Sequence, residues 1–480
     1  METVTYTELL DKMLYDKRNI LLLGSAGSGK TRLVKSMIQE LERQGKGDSI
    51  LLCAPSGIAA LNINGCTIQS LFSIQPYTYD IHPVFIENIR KVEQIKNAKI
   101  LLIDEISMLR CEILDIVDAK LRIITGEINK PFGGLRLIFI GDLFQMEPVV
   151  QEREYEFMND LYPDIGIKDY CFFNSLVMRD NNYFETSFDI YRLEHIFRQC
   201  DKKFIDILSE VRMGNVSEPS LQCLNKRALN NMDFNEDYQY LCITNDRANM
   251  INESFIENIT GDVYYSYPEY INDDESFDCQ IKSYKCPINK VLLMKKGMKI
   301  MFVINDRKKG LPPRYVNGSI GYIENINADL VTNEVYSVLV NINGNKHLIK
   351  KSNLPVYSKI NNVIQKVGLI RNFPFVPSYA ITIDKSQGLT LDKTAIVLDN
   401  NYIRDNQIYV ALSRAKSLDD IILDRIIKPG DIRLSSTMEK FYNSIANRII
   451  PVIYTENIKP IITGIKKPIN VHLTINIKIA

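Results

Sequence analysis

Residues 21 to 34 read LLLGSAGSGKTRLV: an apolar run breaks into glycine and serine, meets one lysine and one threonine, and continues as a helix-forming segment. Gly24-Ser25-Ala26-Gly27-Ser28-Gly29-Lys30-Thr31 fits G-x-x-x-x-G-K-[ST] after a strand-like run and before a helical one, the context in which that pattern carries meaning. The glycines let backbone N–H groups converge on phosphate oxygens, and the helix N-terminus adds the positive end of its dipole. Lys30 is expected to reach the β- and γ-phosphates and the Thr31 hydroxyl to hold Mg²⁺. Such a turn commits the chain around it to a parallel α/β sheet.

The rest of the chain agrees. NILLLG (19–24), SILLCAPS (49–56), KILLIDE (99–105) and LRLIFIGD (135–142) are short apolar runs ending in small or acidic residues, with helix-like segments between them. From about 290 to 365 the texture changes to short strands and turns, which predicts a small β-barrel inserted in a second α/β unit; SYAITIDKSQG and TAIVLDN then return to α/β texture. At 480 residues and 45% apolar content, about three domains can each bury a core. METVTYTELLDK has no basic start followed by an apolar core, and no stretch reaches the roughly 18 apolar residues of a membrane span. The expectation is an intracellular protein, neither secreted nor membrane-spanning, with cytoplasm and nucleus left undistinguished. The cysteines at 53, 66, 111, 171, 200, 223, 242, 279 and 286 form no CxxC pair, which fits free thiols and predicts no metal cluster. Lys+Arg and Asp+Glu both number 58, so net charge announces no nucleic-acid partner.

A phosphate cradle alone leaves kinase, GTPase, transporter and motor open. In KILLIDEIS, Asp104 ends an apolar strand, where its carboxylate can bind Mg²⁺ through water, and Glu105 beside it is a candidate base for an attacking water. In LRLIFIGDLFQMEPV, the Gln145 amide could hydrogen-bond the γ-phosphate or that water. An acidic strand end is common taken singly; about 75 residues after a P-loop, the catalytic reading is preferred.

The order of motifs then becomes specific. GSAGSGKT, APSGIAALNINGCTIQSLF, LLIDEISML, FIGDLFQMEPV, LEHIFRQCDKKFIDILSEVRMG, LCITNDRANMINE, VNGSIG, AITIDKSQGLTLD and YVALSRAK run across about residues 19 to 425. In that order the chain resembles a superfamily 1 DNA helicase of the 5′-to-3′ branch, within the petite-integration-frequency (PIF) family related to RecD; KSQGLTLD and YVALSRA are the selective pair. The resemblance implies two RecA-like P-loop NTPase domains with parallel sheets, an SH3-like β-barrel inserted in the second, ATP with Mg²⁺ in the cleft between them, and single-stranded DNA across the top. It implies boundaries at 1–190 (with a small insertion at about 73–97), 191–289 with 366–430, and 290–365, leaving 431–480 as a C-terminal tail of unknown role.

The resemblance also assigns residues. Arg198 and Arg414 match the positions that supply cations from the far wall, as charge developing on a transferred phosphoryl group requires. Gln387 and Gly388 match the position linking nucleotide state to the DNA groove, and Ser386 beside them is expected to contact the nucleic acid. Ser56, Gly57, Asn64 and Thr67 offer backbone amides and short polar side chains suited to phosphates gripped without sequence preference. Pro55 and Phe72 are open between core and base-stacking platform, Phe72 leaning to core. Asn317 and Gly318 of VNGS are open between DNA contact and plain β-turn. Lys295, Lys296, Lys299, Arg307, Lys308, Lys309 and Arg314 either line the strand's path or form a solvated face. The chain departs from the family pattern in lacking a glutamine in residues 1–18, in Gln69 where histidine is common, and in Asp384 where histidine commonly precedes KSQG.

The expected function is an ATP-dependent DNA helicase translocating 5′ to 3′ on single-stranded DNA and unwinding duplex junctions in replication, repair or recombination. The rivals are a nucleotide-switched DNA-binding or scaffold ATPase without strand separation, and a P-loop kinase.

Overall fold

The computed structural model describes residues 3–74, 88–166, 169–229, 234–272, 278–283, 286, 288–306, 313–329, 331–360, 363–399 and 402–454. Its first unit is built on an eight-stranded sheet in the order Val4–Thr5, Ile449–Ile453, Phe188–Leu193, Asn19–Gly24, Arg136–Gly141, Ile100–Ile103, Ile50–Ala54, Cys66–Thr67. Every pairing in it is parallel. Asn19–Gly24 and Ile100–Ile103 are buried along their whole length, as the unbroken apolar runs require of strands covered on both faces. Helices Tyr6–Tyr15 and Lys30–Arg43 pack their apolar sides on one face; Cys111–Thr125 and Ser436–Ile445 cover the other.

Two expectations about boundaries change here. The first unit runs past 190, because Phe188–Leu193 pairs with the central strand Asn19–Gly24. Residues 431–454 are not a separate tail: Ile449–Ile453 inserts between Val4–Thr5 and Phe188–Leu193, and Phe441 of the preceding helix stacks on Phe173 with centroids 3.9 Å apart. The segment's isoleucines, without signal in sequence, cover a sheet edge that is otherwise unpaired. Residues 455–480 and 75–87, the greater part of the small insertion at 73–97, lie outside the described residues; Ile89–Asn97 is a helix capped by Asn88.

The second unit holds a four-stranded parallel sheet in the order Ala380–Thr382, Gln239–Cys242, Thr394–Val397, Ile421–Leu423. Helices Lys202–Arg212, Asn245–Asn258 and Gln407–Leu412 cover it. Between Gln239–Cys242 and Ala380–Thr382 the chain forms a five-stranded antiparallel sheet in the order Asn345–Ile349, Val335–Ile342, Ile320–Ala328, Lys299–Phe302, Phe375–Pro377. Ser352–Ile360 and Val363–Asn372 pair with Glu269–Asn272 as a separate three-stranded sheet. Among the described residues no helix is long and apolar enough to cross a membrane.

Candidate functional site

The P-loop leaves its buried strand at Gly24 and enters the helix at Lys30 through Gly27 and Gly29, whose φ angles are +79° and +90°. A Cβ on Gly27 would stand 2.4 Å from the Arg198 Cβ, and one on Gly29 2.9 Å from the Phe197 ring, so glycine is required both by conformation and by close approach. Lys30 turns its ammonium back onto the Gly24 and Ser25 carbonyls at 2.8 and 3.0 Å. Burial pulls its pKa down, against the attraction of Asp142, Glu105 and Asp104.

Asp104 and Glu105 follow the buried strand Ile100–Ile103. Asp104 is 5% exposed and accepts the Glu105 N–H at 2.9 Å; burial and the Glu105 charge push its pKa up to about 7. Glu105 holds a left-handed backbone, φ 52° and ψ 45°, a strained conformation for a residue with a side chain. Its carboxylate accepts from the Gln387 amide at 3.4 Å.

Arg198 and Arg414 stand on the opposite wall. Arg198 donates to the Ser413 carbonyl at 2.9 Å. Arg414, 1% exposed, donates to the Val410 and Leu389 carbonyls at 2.9 and 3.2 Å and to the Ser413 hydroxyl at 2.8 Å. Burial, then the neighbouring Arg198 charge, lower its pKa to about 10. One cleft of about 400 Å³ is lined by residues 26–31, Asp104, Glu105, Gln145, Arg198, Gly388 and Arg414, together with Ala59, Asn62, Phe197, Thr390 and Lys416. Gly24 and Ser25 form the root of the loop, and Gln387 closes the cleft through Glu105. Around it, buried Ser28 Oγ, Gln145 Oε1, Gln199 Oε1 and Gln387 Oε1 have no hydrogen-bond partner. A concave site with convergent charges and orphaned polar atoms suits a polyanion and its cation.

Sequence reasoning missed Asp142, Arg212 and Tyr409. Asp142 is fully buried, takes Arg212 at 2.8 Å and the Tyr409 hydroxyl at 2.9 Å, and accepts the Gln145 amide at 3.3 Å. The GD of FIGD and the R of VRMG hinted at the ion pair. Their separation by 70 positions hid it.

The residues expected to touch DNA fall into two groups. Ser56 and Thr67 each cap a short helix, accepting from Ala59 and Ser70 N–H at 3.2 and 3.3 Å; Pro55 is half-buried, and Asn64 is exposed in a left-handed turn at φ 56°. Gly57 packs against the Asn317 carbonyl, 3.1 Å from where its Cβ would be, so the two halves of the expected DNA surface meet. Asn317 is exposed, its N–H held by Asn305 at 2.8 Å, and Gly318 turns beneath it at φ 93°. Phe72 is core, fully buried. Ser386 faces no groove: it is fully buried and its hydroxyl donates to the Ile383 carbonyl at 2.6 Å. Much of the basic cluster is structural as well. Lys295 donates to the carbonyl of Ile259 just past a helix end at 2.8 Å, Lys299 to Gln239 at 2.8 Å, and Arg314 is held by Asp306 at 2.8 and 3.0 Å. Lys296 is exposed; Arg307, Lys308 and Lys309 lie outside the described residues. A larger cleft, about 1300 Å³, opens in the second unit, with Asn245, Tyr265, Lys290, Thr382 and Lys385 on its walls.

Residues 3–221 match the model of the PIF1-like helicase family, and residues 337–454 match a second helicase model. A Bacteroides Pif1 helicase, solved with ADP-AlF3 and single-stranded DNA, is 30% identical, covers 92% of this chain and 96% of its own, and superposes with a TM-score of 0.75. The chain belongs to the PIF1-like helicase family. The ATP-dependent DNA helicase Pif1 of Bdellovibrio bacteriovorus is 29% identical over 411 residues, 84% of each chain. The unliganded Bacteroides Pif1 superposes with a TM-score of 0.59, lower than the DNA-bound form.

Proposed function

We propose that this chain is an ATP-dependent DNA helicase that translocates 5′ to 3′ on single-stranded DNA and separates duplex at junctions. The observation that carries the reading is the single cleft in which Lys30, Thr31, Asp104, Glu105 and Gln145 of one unit face Arg198 and Arg414 on the opposite wall. Closing that cleft on a nucleotide moves the two units together, and opening it lets them part, so hydrolysis becomes relative motion. A kinase needs no trans-cleft arginine pair of this kind from a second sheet, and a switch without turnover does not need Glu105 held in a strained backbone.

The P-loop amides and Lys30 hold the phosphates. Thr31 and Asp104 would hold a Mg²⁺ ion beside those phosphates, since a cation would offset the burial and the Glu105 charge that raise the Asp104 carboxyl; among the described residues no group of His, Cys, Asp and Glu side chains makes a metal site unaided. Bound there, the ion would offset phosphate charge. Glu105 takes the proton of the attacking water, Gln145 orients that water, and Arg198 and Arg414 stabilise the charge that develops. Gln387 couples Glu105 to the turn that carries Gly388. The nucleoside leaves the P-loop past Phe197, which stacks edge-on with His195 and Tyr454 at 4.4 and 5.1 Å.

Single-stranded DNA runs over Pro55–Gly57, Asn64, Thr67 and the Asn317–Gly318 turn, then into the larger cleft past Asn245, Lys385 and Lys290. The arrangement of the two units superposes better on the DNA-bound Bacteroides helicase than on the unliganded one, which supports a DNA-binding arrangement of this chain. The five-stranded sheet at 299–377 is read as the inserted SH3-like barrel. Strand displacement with 5′-tailed and 3′-tailed duplexes tests the whole: only the 5′ tail is expected to load the enzyme, and equal activity on both, or none, rejects the reading.

A further inference from the structure

The helix Gln407–Leu412 puts more into the first unit than the arginine that follows it. Tyr409, 3% exposed, accepts the N–H of the P-loop residue Ala26 at 3.0 Å and donates to Asp142 Oδ2 at 2.9 Å. Asp142 Oδ1 is taken by Arg212 through Nε and Nη2 at 3.1 and 2.8 Å. At the head of the helix, the Asn406 amide donates to the Gln145 carbonyl at 2.9 Å. Two neighbouring structural features of the ATP site, the P-loop and the Gln145 turn at the ends of adjacent strands, are thus each tied to one short helix of the other unit.

The direction of the bonds is fixed. Arg212 and Lys30 beside it keep the Asp142 carboxyl ionised despite its burial, and an ionised carboxylate only accepts. The Tyr409 proton therefore points at Asp142 and its lone pair at Ala26. Both capacities of the hydroxyl are used, and both only while the cleft is closed. When the units part, water replaces Tyr409 at Ala26 and Asp142, and the Arg212 bond to Asp142, which crosses between the same units, is lost as well. A bond made in one state and replaced by water in the other biases the equilibrium between them, whereas one made in both does not.

We propose that Tyr409 is a positioning residue whose hydroxyl couples the nucleotide to DNA: by gripping the P-loop amide and Asp142 it favours the closed arrangement in which Arg414 faces the phosphates. The proposal rests on the helicase reading above. It assigns Tyr409 no contact with substrate.

Tyr409→Phe keeps the ring and removes only the hydroxyl. In wild type, a non-hydrolysable ATP analogue is expected to change the Kd for a fluorescent oligothymidylate by a coupling of roughly 5- to 150-fold. In Y409F that change is expected to shrink towards none, with the nucleotide-free Kd, the melting temperature and the KM for ATP near wild type and the DNA-stimulated kcat reduced. A folded Y409F protein with wild-type coupling and kcat overturns the proposal and leaves the helicase reading standing. A wild-type protein whose ATPase ignores DNA overturns both. Should Y409F not fold, hydrogen exchange of the wild-type P-loop peptide decides: the Ala26 amide is expected to exchange more slowly once DNA and analogue are both bound, and unchanged exchange overturns the proposal.

Discussion

Ile58, in the first turn of the helix Gly57–Asn62, lies directly over Gly318 in the turn of the inserted sheet: a Cβ on Gly318 would fall 2.2 Å from Ile58 Cδ1 and 2.4 Å from Cγ1. The same side chain touches Gly388, whose Cβ would stand 3.4 Å from Ile58 Cγ2. One isoleucine therefore seats the helix Gly57–Asn62, on the proposed DNA path, on two glycine turns of the second unit. Gly318 also sits at φ +93°, where a side chain is strained. Gly318→Ala is expected to cost about 1 to 3 kcal/mol in the docked state and to weaken binding of single-stranded DNA. Adding Ile58→Ala is expected to return part of that loss, since the steric share of it vanishes while the backbone strain stays. A thermal melt and a DNA titration of the two single variants and the double variant measure the coupling.

Lys30 and Glu105 separate binding from chemistry. Lys30→Ala is expected to abolish ATPase activity, while Glu105→Gln still binds a fluorescent ATP analogue but barely turns it over. DNA-stimulated hydrolysis by Glu105→Gln near the wild-type rate would remove Glu105 from the role of base.

Asp104 gives the site a pH dependence. Its carboxyl is raised to about 7 without nucleotide, so below that pH a proton must leave before a cation can be held there. Affinity for Mg²⁺-ATP is therefore expected to rise with pH up to about 7 and level off above it, with a slope below 7 of at most about tenfold per pH unit. The sign for stability is the opposite: a raised carboxyl favours the folded state at low pH, and that contribution fades as pH climbs through 7. Calorimetric titration from pH 5.5 to 8.5 reads the first. An affinity flat across that window removes Asp104 from the cation site.

Phosphate contacts along the DNA path predict salt dependence with little sequence preference. ATPase stimulation by oligothymidylate and oligodeoxyadenylate is expected to be similar, with the logarithm of affinity falling linearly with the logarithm of salt concentration. Stimulation by one base composition alone would point to base reading in place of backbone grip.

Strands with continuous apolar runs could be read from sequence because both their faces are covered. NILLLG and KILLIDE mark Asn19–Gly24 and Ile100–Ile103 to within a residue or two. Lys30, Asp104, Glu105, Gln145, Arg198 and Arg414 were legible through local motifs, and folding brings them to one cleft. Residues whose meaning is made by packing were not. Tyr409 lies 383 positions from its partner Ala26, and nothing in YVALSRAK distinguishes its hydroxyl from that of a core tyrosine. Ile449–Ile453 reads as an apolar tail until the sheet offers it an edge. Ser386 misled in the other direction: it was expected to contact the nucleic acid, but the short helical turn Asp384–Ser386 points its hydroxyl inward.

Completion of one ATP site by the two units, and the strand separation it would drive, depends on Arg414. Loss of a trans-cleft arginine in phosphoryl transfer costs roughly 10³ to 10⁵ in rate. The decisive measurement compares wild type, Arg414→Lys and Arg414→Ala in ATPase and 5′-tailed duplex unwinding, on protein with matched melting temperature and single-strand affinity. Both activities are expected to collapse together in Arg414→Ala, with Arg414→Lys between it and wild type. An Arg414→Ala protein that unwinds at the wild-type rate would contradict the account, because the second unit would then contribute nothing to hydrolysis.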